Sequence, residues 1–229
     1  MRCLPQVKTP MKKSALILID LQNDFMPQGA LPVPDAETII PIINQVIHQF
    51  DFVVATQNWY PKNHLSFASH YPKKKPGASM VIGDKKFPLW PDHCIQETPG
   101  AELSSALDST AINHILRKGM KSDLYNHSAF FEQDAAHATG LHTLLKFNKI
   151  KKVYISGLSI DHSIEHTALD AINLGYQVYL LTDACRSLTP QAENDALHYS
   201  TMSDTKVKLI NTSDLHTMPQ QLAFSFYDE

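Results

Sequence analysis

A chain of 229 residues with 43% apolar content and a formal net charge of −3 has the size and core-forming capacity of one large α/β domain. Charge is spread thinly, and Lys73-Lys74-Lys75 is the one notable run of a single sign, so no footprint for nucleic acid or a membrane surface is written into the sequence. Cys3, Cys94 and Cys185 are too few and too scattered for a disulfide framework, which points to a reducing cytoplasm, and no apolar run is long enough to span a bilayer.

The opening Met1 to Lys13 is basic, holds two prolines and lacks an apolar core, and so reads as an N-terminal extension rather than a signal sequence. A second methionine, Met11, suggests that the residues before it are dispensable, and residues 14–229 are expected to form a single domain. Ala15-Leu-Ile-Leu-Ile-Asp20 is an unbroken apolar run ending in an acid, the pattern of a parallel strand buried on both faces. A loop rich in proline follows, and then Ile39 to Phe50 places apolar residues at helical spacing. Phe52-Val-Val-Ala-Thr56 is the second expected strand. After it comes a long irregular stretch, residues 57–101, rich in histidine, proline, lysine and aromatics, and a loop of that length in a compact domain is usually functional. Further strands are expected at residues 112–116, 153–156, 177–182 and 206–210, with helices near 137–148, 161–174 and 190–203. Such alternation predicts a doubly wound parallel sheet in a three-layer α/β/α arrangement.

The junction Gly157-Leu-Ser-Ile-Asp-His-Ser163 joins a strand to a helix, so Ser163 is expected in the first helical turn at the carboxyl end of the sheet. An alternative stays open, in which Asp161 merely caps the helix and Ser163 is an ordinary first-turn serine. Asp20, Lys118 and Ser163 then stand at the carboxyl ends of three strands, an acid, a lysine and a hydroxyl nucleophile of the kind acyl transfer uses. Asn58, Tyr60, His64, His70 and His93 belong to the long loop near the same edge. His162 and His166, four apart, also have the spacing of a metal pair, but no third ligand is placed to complete it.

Taken together, Asp20-Leu-Gln-Asn-Asp-Phe25, Asn58-Trp-Tyr-Pro-Lys-Asn-His-Leu-Ser-Phe-Ala68, Trp90-Pro-Asp-His-Cys94, Arg117-Lys-Gly119, His127-Ser-Ala-Phe-Phe131, Gly157 to Ser163 and Thr182-Asp-Ala-Cys-Arg186 resemble the bacterial nicotinamidase/pyrazinamidase branch of the isochorismatase-like hydrolases. The resemblance covers about residues 14 to 215 and implies a six-stranded parallel sheet. The implied reaction is hydrolysis of nicotinamide to nicotinate and ammonia by an Asp, Lys, Cys triad, with a divalent metal (zinc, iron or manganese) held by Asp, His and His. Carried over, Asp20 is the triad acid, Lys118 its lysine, and Ser163 stands at the cysteine nucleophile. The backbone N–H groups of Ser159 and Ser163 would be the oxyanion donors, with room for a non-proline cis peptide at Leu158-Ser159. His93 matches a metal ligand, while Asn58 stands for the Asp and Tyr60 for a His, leaving His64 and His70 as reserve ligands.

These departures carry chemical weight. An alkyl hydroxyl is a far weaker acid than a thiol, a carboxylate is a poor base for it, and a lysine beside an ionised acid stays protonated. An amide oxygen and a neutral phenol are weak substitutes for a carboxylate and an imidazole on a divalent ion. The expectation is therefore a nicotinamidase-like scaffold with the hydrolytic activity weak or lost and the metal absent or weakly held. The alternatives are an active amidase using Ser163 and a non-catalytic small-molecule-binding or regulatory protein. The expected partner is a small amide or heteroaromatic ligand, with no nucleic acid and no membrane, and a homo-oligomer is left open.

Overall fold

The computed structural model describes residues 11–82, 85–132, 134, 136–189 and 206–216. Strand β1, Met11–Ile19, starts inside the segment expected to be an extension, because Met11 already pairs with Phe50. Helix α1, Ala36–Val46, leads into β2, Phe50–Asn58. A short antiparallel hairpin, β3 (Ser79–Ile82) and β4 (Lys85–Pro88), interrupts the long stretch expected to be irregular. Then follow β5 (His114–Lys118), α2 (Leu141–Phe147), β6 (Lys152–Leu158), α3 (Glu165–Asn173), β7 (Gln177–Arg186) and β8 (Lys208–Ile210). The helix expected at 190–203 lies outside the described residues.

Six strands form one parallel sheet in the order β5-β2-β1-β6-β7-β8. The chain winds outward in both directions from the β1/β6 pair. That pair is the point where the strand order reverses, and at its carboxyl ends a crevice opens between the diverging connections.

Alternation along β1 builds both layers. Leu16 and Leu18 join a core with Ile39, Ile40 and Ile43 of α1, whereas Ala15, Ile17 and Ile19 join a second core with Leu145 of α2 and Ala168 of α3. Helix α1 tolerates an internal proline, Pro41, although such a residue costs about 3 kcal/mol. Burial of Ile39, Ile40 and Ile43 offsets it, at about 1.5–3 kcal/mol each. Where β1 and β6 end, Gly157 has φ +122, and a Cβ there would stand 2.2 Å from the Ile19 carbonyl oxygen. Only glycine lets the two strands stay paired up to the crevice.

Candidate active site

Asp20 is the first residue after β1, in the left-handed region at φ 53, and is 1% exposed. Its carboxylate is fully engaged. The Thr56 hydroxyl donates to Oδ1 at 2.6 Å, while the Asn58 amide donates to Oδ2 at 3.1 Å and Lys118 Nζ forms an ion pair with Oδ2 at 2.9 Å. Lys118 closes β5, and its ammonium donates to Asn58 Oδ1 at 2.5 Å. The charges on either side fix which way round the Asn58 amide sits, since its NH2 must face the carboxylate and its oxygen the ammonium.

Ser163 lies in a π turn, Ile160–Ile164, ahead of α3, rather than in the first α-helical turn expected from periodicity. The N–H of Ile164 donates five residues back to the Ser159 carbonyl at 3.0 Å. Single π turns of this kind recur at functional sites. Asp161 does not cap the helix. Its carboxylate accepts from the backbone N–H of Leu188 and Thr189 and so ties the segment after β7 to the turn. The peptide Leu158-Ser159 is cis. Among the described residues, the Ser159 N–H donates to no backbone carbonyl, and the Ser163 hydroxyl hydrogen-bonds to neither Asp20 nor Lys118.

Asp20, Tyr60, Ser159 and Ser163 line one open-mouthed cavity. Trp90, Tyr125, His127 and His162 form its aromatic flank. Burial, reinforced by His166 and His162, pushes the His127 imidazole down to about 3, so that ring is uncharged at neutral pH. Trp90 and His127 fall inside recognisable sequence blocks, yet nothing in their spacing marks them as cavity residues. Thr56 and Asn58 were equally silent as partners of Asp20, although a threonine ending an apolar strand beside a strand-end acid is the signal that could have revealed one of them.

The residues that the resemblance aligns with the metal ligands meet around Tyr60 but form no cation site. Asn58 Oδ1 already accepts from Lys118 and, at 3.3 Å, from the Tyr60 hydroxyl, so a cation there would face an ammonium and a phenolic hydrogen. Burial first, and Asp20 second, push the Tyr60 hydroxyl well above its usual value, which keeps it a neutral phenol. The ring of Tyr60 packs against Gly119, where a Cβ would come within 2.4 Å of it. His93 is 4% exposed, held below its ordinary value by burial, with Nδ1 at 2.8 Å from the Pro91 carbonyl. His64 has both ring nitrogens engaged, Nδ1 with the Ser66 hydroxyl and Nε2 with the Leu124 carbonyl, and burial lowers it to about 4. His70 is exposed, its Nε2 bonded to the Lys62 carbonyl, and it does not line the cavity. No group of three His, Cys, Asp or Glu among the described residues converges as a metal site, His162 and His166 included. The donor set does not fit a divalent ion.

This fold and this crevice define a class, and sequence comparison agrees: the isochorismatase domain matches residues 14–213, and the chain belongs to that family. Within it, several relatives are named nicotinamidase or pyrazinamidase. The nicotinamidase of Acinetobacter baylyi is 43% identical over 174 residues, 76% of this chain and 81% of its own. The Acinetobacter baumanii nicotinamidase/pyrazinamidase structure superposes with a TM-score of 0.85 at 39% identity, covering 89% of this chain and 98% of that one. The pyrazinamidase of Pyrococcus horikoshii, solved in complex with zinc, gives 0.70 at 35% identity over 87% of this chain and 99% of that one.

Proposed function

We propose that the chain binds a small planar amide or heteroaromatic ligand in the crevice and carries out the nicotinamidase reaction weakly or not at all. The observation that carries this reading is the closed Asp20-Asn58-Lys118 network. Asp20 already accepts from three donors and Lys118 is an ammonium between two acceptors, so neither is a free base for a hydroxyl. Ser163, standing where the resemblance puts a cysteine, has no hydrogen bond to Asp20 or Lys118 among the described residues, and an unactivated alkyl hydroxyl is a poor nucleophile at neutral pH. A metal-free or weakly metallated site belongs to the same proposal, supported by the Asn58 and Tyr60 contacts. Binding is supported by the cavity and its aromatic flank, and by relatives named for nicotinamide and pyrazinamide hydrolysis. A cytoplasmic setting accords with the free, buried thiols of Cys94 and Cys185 and with the absence, among the described residues, of a helix long and apolar enough to cross a membrane.

The deciding experiment pairs calorimetric titration of nicotinamide and nicotinate with an ammonia-release assay on the same preparation. Binding without turnover is the expected result. Turnover at the rate of the Acinetobacter baylyi enzyme assayed in parallel would overturn the reading.

A further inference from the structure

The inner end of the cavity offers hydrogen-bond acceptors where a metal-bearing site would offer a Lewis acid. The Pro91 carbonyl, 2.8 Å from His93 Nδ1, can only be met by an N–H, which fixes the tautomer and leaves Nε2 as a bare acceptor. That Nε2 has no partner among the described residues. It is not one of the buried unpartnered atoms sealed from solvent, and His93, 4% exposed as a whole, lines the cavity. Beside it, with ring centroids 5.2 Å apart, Tyr60 spends its hydroxyl hydrogen on Asn58 Oδ1 and keeps lone pairs for the cavity. Asp20 also lines the cavity, its carboxylate already taken by Thr56, Asn58 and Lys118. Phe25 and Phe67 pack edge-on to the His93 ring and hold its plane.

From this the geometry points to a ligand class: a planar nitrogen heterocycle that presents a ring N–H donor to His93 Nε2, in place of the bare ring nitrogen that nicotinamide carries. The inference rests on the proposed binding function and specifies what is bound. A pyridine-type nitrogen would set its lone pair against those of His93 and Tyr60, with no hydrogen between them. An azole or lactam N–H meets the same atoms as a donor, and a site built to pair a ligand N–H rejects the analogue that lacks it. His93 thereby becomes a specificity-determining residue.

Three probes of similar size test this: pyrrole carboxamide, which has the ring N–H, the same-shaped furan carboxamide, which has an oxygen acceptor instead, and nicotinamide. Titration calorimetry, with Trp90 fluorescence as a second readout, should show the pyrrole bound at least about tenfold more tightly than either of the others, the difference one well-formed hydrogen bond makes. In His93→Phe the pyrrole should lose that advantage. Should the variant not fold, the pyrrole-to-furan ratio on the unmodified chain still decides. Furan or nicotinamide binding as tightly as the pyrrole, or none of the three binding, overturns the inference, as does a preference that survives His93→Phe. Nicotinamide that binds equally well without being hydrolysed sinks this inference alone, whereas ready hydrolysis of nicotinamide sinks the proposed function whatever the ratio.

Discussion

Lys118 Nζ sits closer to the neutral Asn58 Oδ1, at 2.5 Å, than to the charged Asp20 Oδ2, at 2.9 Å. Asn58 is thus the hinge of the buried polar cluster, accepting from the ammonium while donating to the carboxylate. Replacing it by an apolar residue of similar size, Asn58→Leu, removes one partner from each charge and the acceptor of the Tyr60 hydroxyl. Hydrogen bonds to charged groups contribute about 1.5–3 kcal/mol, and buried groups left unpaired cost more than the bond itself. A loss of about 3 kcal/mol in chemical denaturation is expected. A loss below about 0.5 kcal/mol, the range of ordinary surface changes, would show that Asn58 is not structurally required.

Asp20 and Lys118 should behave as one unit. Each side chain is almost wholly buried, so Lys118→Met strands a carboxylate and is expected to cost about 3–5 kcal/mol. Asp20→Asn keeps a residue that tolerates the left-handed backbone but strands the ammonium, at a similar cost. The double variant strands neither charge. In a double-mutant cycle followed by urea unfolding, its cost should fall well short of the sum of the two single costs, and strict additivity would refute the coupling.

Acidification should weaken the fold in a definite window. His64 is lowered to about 4 and His127 to about 3, both mainly by burial, while an unfolded histidine titrates near about 6.5. Between those values the unfolded chain binds more protons than the native one, so stability rises with pH there. The contribution is intact above about pH 6.5 and is lost as pH falls toward 4 and 3. Urea midpoints measured from pH 7.5 down to 4.5 should therefore drop, and His64→Gln should flatten the slope. A midpoint that rises on acidification would contradict the burial of these rings as neutral groups.

Much of this was legible in the sequence for a physical reason: the central strands are buried on both faces and advertise themselves as unbroken apolar runs. The edges were not so marked. β5 begins two residues later than expected because Ile112 and Asn113 look strand-like, but the Asn113 side chain takes the Val53 N–H and the ladder starts at His114. The β3/β4 hairpin escaped because Lys85 and Lys86 dilute its apolar signal. Helix α2 starts at Leu141, later than residue 137, because Ala138 and Thr139 pair back to Phe131 and Phe130. Apolar spacing cannot tell an α turn from a π turn, so the backbone around Ser163 was unreadable. The role of Asn58 was half readable: its identity argued against a metal, and only the fold reveals that both ends of its amide are occupied.

The last prediction concerns repair. Restoring only the nucleophile, Ser163→Cys, should return little nicotinamide hydrolysis, because the thiol would enter a cavity whose inner wall presents His93 Nε2 and Tyr60 lone pairs to the ring nitrogen. Attack demands that the reacting atoms be held in near-attack geometry, and misplacement of about 1 Å can cost about a hundredfold in rate. Asn58→Asp with Tyr60→His should rebuild a carboxylate and two imidazoles around one point, counting His93, and also free the inner wall of its phenol. That double variant alone still lacks a nucleophile. Only the triple variant combines positioning with nucleophilicity, and groups that act as a unit show effects that do not add. Steady-state ammonia release by the four proteins, alongside zinc content by elemental analysis, should give about one zinc per chain in the double and triple variants and activity in the triple variant alone. If Ser163→Cys by itself reaches the activity of the triple variant, the inner wall does not hold the ligand off, and the acceptor character assigned to His93 and Tyr60 has no bearing on catalysis.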